Sequence, residues 1–221
     1  MSDFFNQFGG MLWQGTLDTL YMVLLSTIFG YIIGLPLGII LTITSKEGIT
    51  PRPAVYRILD VIVNILRSIP FLILLIMIMP MTKVIVGKSY GTAATVVPLV
   101  VSAAPFIARE VESSLKEVDK GVIEMAQSMG ASNGTIIWKV LIPEARTSLI
   151  VNAAIVVGTI LGYSAMAGTV GGGGLGDIAI QYGYYRYETG VMMITVVILV
   201  VLVQILQGIG MGLAGRLDHR K

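Results

Sequence analysis

Three groups of residues in this 221-residue chain have types and spacings that could carry chemistry. The first is Thr169 to Asp177, Thr-Val-Gly-Gly-Gly-Gly-Leu-Gly-Asp, which contains G-x-G-x-x-G at Gly171, Gly173 and Gly176. In a dinucleotide site such glycines follow a strand, open a helix and let the backbone approach a pyrophosphate. No strand pattern precedes them here, so nucleotide binding is rejected. Gly171 and Gly173 are read instead as a helix end that makes backbone turns closed to other residues. The second group is Arg57, Asp60, Asn64 and Arg67, spaced three, four and three apart. That spacing lays one polar stripe along an otherwise apolar helix. Its charges face headgroups and water, or Asp60 and Arg67 form an internal pair, because an unpaired charge in the bilayer is too costly. The third is the long polar stretch Arg109 to Arg146, where Asp119 and Ser132 stand at helix N-cap positions and Gly130 and Pro143 at stops.

Catalytic chemistry is otherwise scarce. With no cysteine, the chain has no disulfide, thiolate metal site or cysteine nucleophile. Its one histidine, His219, sits three residues from the end, so no metal site built on clustered histidines is expected. A Ser-His-Asp triad would have to use that tail residue. No G-x-x-x-x-G-K-[ST] is present to cradle ATP phosphates. A net charge of +2 is too small to suggest nucleic acid as a partner.

The elements that hold these residues follow from where charge is missing. Hydrophobic residues make up 55% of the chain and charged ones 13%, with a mean hydropathy of +0.84. A soluble domain carries about 25% charged residues. Uncharged runs cover Thr19–Ser45, Ser68–Thr82, Ser89–Ala108, Thr147–Gly176 and Thr189–Gly215, which are 27, 15, 20, 30 and 27 residues long. A helix needs about 20 apolar residues to cross a bilayer core. Four runs reach that length, and the short one continues through Val84–Val86 if Lys83 snorkels to the interface. The expected fold is an all-α integral membrane protein with five transmembrane helices, at about 19–45, 66–87, 89–110, 146–170 and 189–215. These lengths disfavour five buried helices of a soluble bundle.

Charge asymmetry sets the expected orientation. The segments outside the spans, taken alternately from the N-terminus, hold three Lys and Arg in one set and twelve in the other. The positive-inside rule places the N-terminus outside and the C-terminal tail, 216–221, in the cytoplasm. The first cation is Lys46, so the charged region of a cleavable signal is missing. Residues 1–18, with Phe4, Phe5, Phe8, Leu12 and Trp13, are expected to lie along the outer interface.

Small residues recur inside the spans. Gly30, Gly34 and Gly38 form a row four apart around Pro36, which removes a backbone donor. Gly158 with Gly162 and Gly208 with Gly212 repeat the spacing. Such rows pack helices closely, or form faces that slide during transport. Met166 is the one long side chain in the small-residue stretch Gly162–Gly168, where it plugs a narrow passage or fills the core. With Met166, a translocation path could use the polar groups of Tyr163, Ser164 and Asn152.

Glu124-Met125-Ala126, Gly130 six positions after the Glu and Pro143 nineteen after it resemble the EAA loop of ABC importer permeases. Met125 replaces the usual alanine of that pattern but keeps an apolar side chain. Leu66-Arg67-Ser68-Ile69-Pro70-Phe71 and the run from Gly168 to Tyr184 are similar to stretches of the methionine-importer subgroup, and the resemblance covers essentially the whole chain. It implies a type I importer permease fold in which loop 117–143 carries a cytoplasmic coupling helix. There Glu124 makes a polar contact with an ATPase, while Ala126 and Gly130 allow close approach. It further implies a homodimer in a bacterial cytoplasmic membrane, an ABC ATPase dimer carrying ATP and Mg, and an extracytoplasmic substrate-binding lipoprotein. The chain itself would hold no cofactor and no metal. It would move methionine, L or D, or a related amino acid, by alternating access. A permease for glycine betaine or another osmoprotectant stays open at this point. So does an ion-coupled secondary transporter, although its usual mid-span charges are missing.

Overall fold

The computed structural model describes residues 2–217, with side chains from Asn6 onward. His219, Arg220 and Lys221 of the expected tail, and the side chains of Phe4 and Phe5, lie outside the described residues. All regular structure among the described residues is helical.

α1 runs unbroken from Ser2 to Thr44, 43 residues. The expected separate interfacial piece is therefore continuous with the first span. Nothing before Pro36 interrupts the helix, and Phe8 and Leu12 are buried against Leu175, Ile178 and Val191. α2 (Pro53–Ser68) and α3 (Phe71–Val86) meet at a 105° bend. Pro70 causes it, because the residue before a proline is driven out of the helical region, so Ile69 leaves the helix. The chain therefore leaves the helix at Ile69 and Pro70, inside the expected span 66–87, and re-enters it at Phe71. α3 has 16 residues, about 24 Å long, short of a bilayer core of about 30 Å.

α4 covers Thr92–Lys116 and continues past the expected boundary at 110. α5 (Lys120–Ser128), α6 (Asn133–Ile136), a π turn (Ile137–Leu141) and α7 (Ile142–Glu144) make up the polar loop. α8 (Arg146–Ala167) ends in a 3-10 turn, Gly168–Val170. α9 (Gly174–Ile178) leads through a second π turn, Ala179–Tyr184, to α10 (Thr189–Leu217). Among the described residues, four helices are long and apolar enough to cross a membrane, and α2 with α3 supplies a fifth if taken as one broken span.

The chain folds into two compact units. The first holds α1 as far as Phe29, then Ile69–Ala103 and Val157–Gln207. The second holds Gly30–Ser68, Ala104–Val156 and the end of α10 from Gly208. In the first, the Thr19 hydroxyl donates to the Gly15 carbonyl at 2.8 Å and accepts the Leu175 N–H at 2.9 Å, tying α1 to α9. In the second, Leu41, Val63 and Ala108 form a core flanked by Leu37, Tyr56 and Leu59. Gly34 and Gly38 pack directly on α4. A Cβ on either would lie 2.6 Å from the Ala104 or Ala108 carbonyl oxygen. That row is therefore a helix-packing seam.

Candidate functional site

In the second unit, the element α5–α7, expected to couple to an ATPase, is built by its caps. The Asp119 carboxylate accepts the Gly121 N–H at 2.6 Å and starts α5. Gly130 ends the turn in the left-handed region, φ 76°. The Ser132 hydroxyl accepts the Thr135 N–H at 3.3 Å and starts α6. Pro143 lacks the N–H that would bond to Lys139. The helix widens just before it, and the Ile142 N–H reaches the Ile137 carbonyl.

Glu124, Met125, Met129 and Trp138 are exposed on this element, while Ala126, Ile136 and Leu141 are buried. Pro143 is exposed. Ala126 faces its own chain, where its small size seats α5 on the molecule. Gly130 is required by its positive φ, and open space surrounds its Cβ position.

Two polar contacts link this element to the first polar loop. Lys120 donates to Glu47 at 2.5 Å, and the Asn133 amide donates to the Thr50 hydroxyl at 2.8 Å. The Lys120 hydrogen bond holds the Glu47 carboxyl below its ordinary pKa, and the same bond raises that of Lys120.

Behind it lies a network joining α2 and α4. Glu112 is 2% exposed and accepts from Arg109 at 2.6 Å, Lys116 at 2.6 Å and the Tyr56 hydroxyl at 3.2 Å. Arg109 also donates to Asp60 at 2.6 Å and to Asn64 at 2.8 Å. The internal partner of Asp60 is thus Arg109, and an Asp60–Arg67 pair is not formed. Residues seven apart on a helix are separated by about 10 Å of rise, and Arg67 instead stands 5.9 Å from the Phe106 ring centroid. Glu112, Arg109 and Tyr56 were not singled out in the sequence. The available signal was Arg109, Glu112 and Lys116 at i, i+3 and i+7, two cations around one carboxylate on a single helix face.

Four residues are candidates for a translocation path. Tyr163, Ser164 and Met166 belong to the first unit, Asn152 to the second. Tyr163 stacks on Phe71, with centroids 4.7 Å apart and planes 3° from parallel. The buried Ser164 hydroxyl is taken up by the Leu161 carbonyl at 2.7 Å. Met166 is half exposed at the end of α8. The Asn152 amide donates to the Ser114 hydroxyl at 2.9 Å and the Glu110 carbonyl at 3.4 Å, fastening α8 to α4. In the glycine run, Gly171 (φ 76°) and Gly173 (φ 79°) take turns open only to glycine. The Gly171 carbonyl accepts the Gly91 N–H at 2.9 Å, so the run is packed against the start of α4. Pro36 stays inside α1, which continues to Thr44.

Residues 34–220 match the family described as binding-protein-dependent transport system inner membrane component. A probable D-methionine transport system permease protein, MetI, of Vibrio cholerae is 52% identical over 95% of this chain and 93% of its own length. The methionine import system permease protein MetP of Bacillus subtilis is 44% identical over 95% of this chain and 94% of its own. A solved chain of the MetNI methionine ABC transporter, in an inward-facing conformation, superposes with a TM-score of 0.95 at 46% identity. It covers 96% of this chain and 99% of that one.

Proposed function

Because the chain belongs to the family of binding-protein-dependent transport system inner membrane components, we propose that it is the permease subunit of an ATP-driven importer carrying methionine into the cytoplasm. The observation that carries the mechanism is the capped element α5–α7, which presents Glu124, Met125, Met129 and Trp138 outward from a rigid base. The chain has no phosphate-binding loop, so ATP and Mg belong to a separate ATPase subunit. Two such subunits act on a permease homodimer, and an extracytoplasmic lipoprotein delivers the amino acid.

Closure of the ATPase pair pushes on the exposed side chains of α5. Lys120–Glu47 and Asn133–Thr50 carry the displacement into the loop after α1, and Val118 carries it to the end of α4. The Glu112 network makes α2 move with α4. Force applied at one knob therefore reaches three helices and turns the dimer from inward-open to outward-open. Twelve of the fifteen cations support a cytoplasmic position for this element.

The test is reconstitution with the ATPase and the binding protein, followed by uptake of labelled L- and D-methionine. Glu124→Lys is expected to weaken ATPase association by about thirtyfold, the loss of one hot-spot contact, and to abolish uptake. Normal assembly with normal uptake would refute this role for Glu124.

A further inference from the structure

One cavity in the second unit lies beside the ties that carry this mechanism, and the mechanism itself assigns it no occupant. It holds about 420 Å³ and lies among the loop after α1, Tyr56 of α2, the end of α4 and the start of α5. Lys46, Lys116 and Lys120 line it with a single carboxylate, Glu47. Lys120 is bonded to Glu47 and Lys116 to Glu112, whereas Lys46 is exposed and makes no ion pair among the described residues. Ile43, Ile49, Ile123 and Leu141 supply apolar wall. The hydroxyls of Thr42 and Ser45 donate to backbone carbonyls and that of Tyr56 to Glu112, so the lysine ammonium groups are the side-chain donors left for a ligand. A ligand that fits is therefore anionic at one end and hydrocarbon at the other.

Position identifies it further. Thr42 and Ile43 close α1, and Leu115 and Lys116 close α4, both of which are long enough to cross the bilayer. The cavity thus lies where both helices end in polar chain, and basic pockets at such ends of membrane helices take acidic lipids. We propose that it binds an anionic phospholipid. The phosphate sits against Lys46 and Lys120, and one acyl chain runs over Ile43 and Ile49. The bound phosphate competes with Glu47 for Lys120, so occupancy loosens one of the two ties between the coupling element and the first loop. The proposal rests on the orientation argued above only for its leaflet, the cytoplasmic one.

Native mass spectrometry of the detergent-purified transporter tests it, with dioleoylphosphatidylglycerol, dioleoylphosphatidylcholine and inorganic phosphate as probes. Phosphatidylglycerol is expected to stay bound and phosphatidylcholine to leave. Lys46→Gln and Lys120→Gln should each weaken retention about fivefold. Ile49→Trp, which fills the apolar half and keeps every charge, should abolish it, while Lys88→Gln should change nothing. Equal retention of both lipids overturns the proposal, as does unchanged retention in the Lys46→Gln, Lys120→Gln double variant. Displacement by inorganic phosphate alone also overturns it and makes the cavity a free-anion site. Lipid held by the isolated permease but lost in the assembled transporter overturns it too and makes the occupant a segment of the ATPase. Orientation is read separately, by labelling Lys46→Cys from each side, so a wrong leaflet and an absent site give different results.

Discussion

Glu112 carries a full carboxylate at 2% exposure, inside a helix that crosses the membrane. It is tolerated because Arg109, Lys116 and Tyr56 all donate to it, and because the second arm of Arg109 is taken by Asp60. Removing Glu112 takes away the acceptor of three donors, while Arg109 keeps Asp60 and Lys116 reaches solvent. Glu112→Ala is expected to destabilise the protein by about 1–3 kcal/mol, seen as a lowered thermal-unfolding midpoint in detergent. Lys116→Ala should cost clearly less, because Lys116 is 45% exposed and Arg109 still covers the carboxylate. Equal losses in the two variants would show that Glu112 is held by something other than this pairing. The EAA residues teach a related lesson. Their spacing was legible, but Ala126 faces inward and Gly130 serves its own turn. Spacing specifies which residues share a helix face; what covers that face depends on chain brought in from elsewhere.

Among the elements, α1 and α4 owe their contact to glycine. Gly38→Leu would place a Cβ 2.6 Å from both the Ala108 carbonyl oxygen and the Val111 Cβ, so the helices must separate. The expected cost is about 1–3 kcal/mol, with a lower yield of monodisperse protein on size exclusion. Gly212→Leu on α10 meets nothing within 4 Å in this chain and is the control for a bulkier helix alone. The tie between α5 and the loop after α1 is a different kind of contact, exposed and ionic. Lys120 depresses the Glu47 pKa, so the stabilisation is complete above the ordinary carboxylate value, about 4.3, and fades as pH falls through the depressed one. The raised Lys120 pKa sets the upper limit: the tie is complete below the ordinary lysine value and fades as pH rises through the raised one. Backbone amides of Gly48 and Thr50 should thus lose hydrogen-exchange protection, after correction for intrinsic rates, at acid pH and not between pH 6 and 8. Flat protection across the acid range would remove this ion pair from the force path.

For the molecule as a whole, the absence of cysteine makes topology directly measurable. Single cysteines at Lys88 and Arg186 should react with a membrane-impermeant maleimide from outside intact cells. Those at Glu47 and Arg216 should react only after the membrane is opened. Labelling of all four from one side would refute the five-crossing reading. The sequence by itself determined the membrane class, the all-helical fold and the caps of the α5–α6 element. Each of these depends on composition or on residues a few positions apart, and local hydropathy and local hydrogen bonds are enough to express it. Only the tertiary structure decided that residues 2–18 continue the first helix and that Pro70 turns the chain by 105°. It also decided that Asp60 answers to Arg109, 49 positions away, rather than to Arg67 on its own helix. In each case the outcome depends on which distant segment arrives to bury an apolar face or neutralise a charge. A buried charge must take whatever partner the packing of helices brings within hydrogen-bond reach.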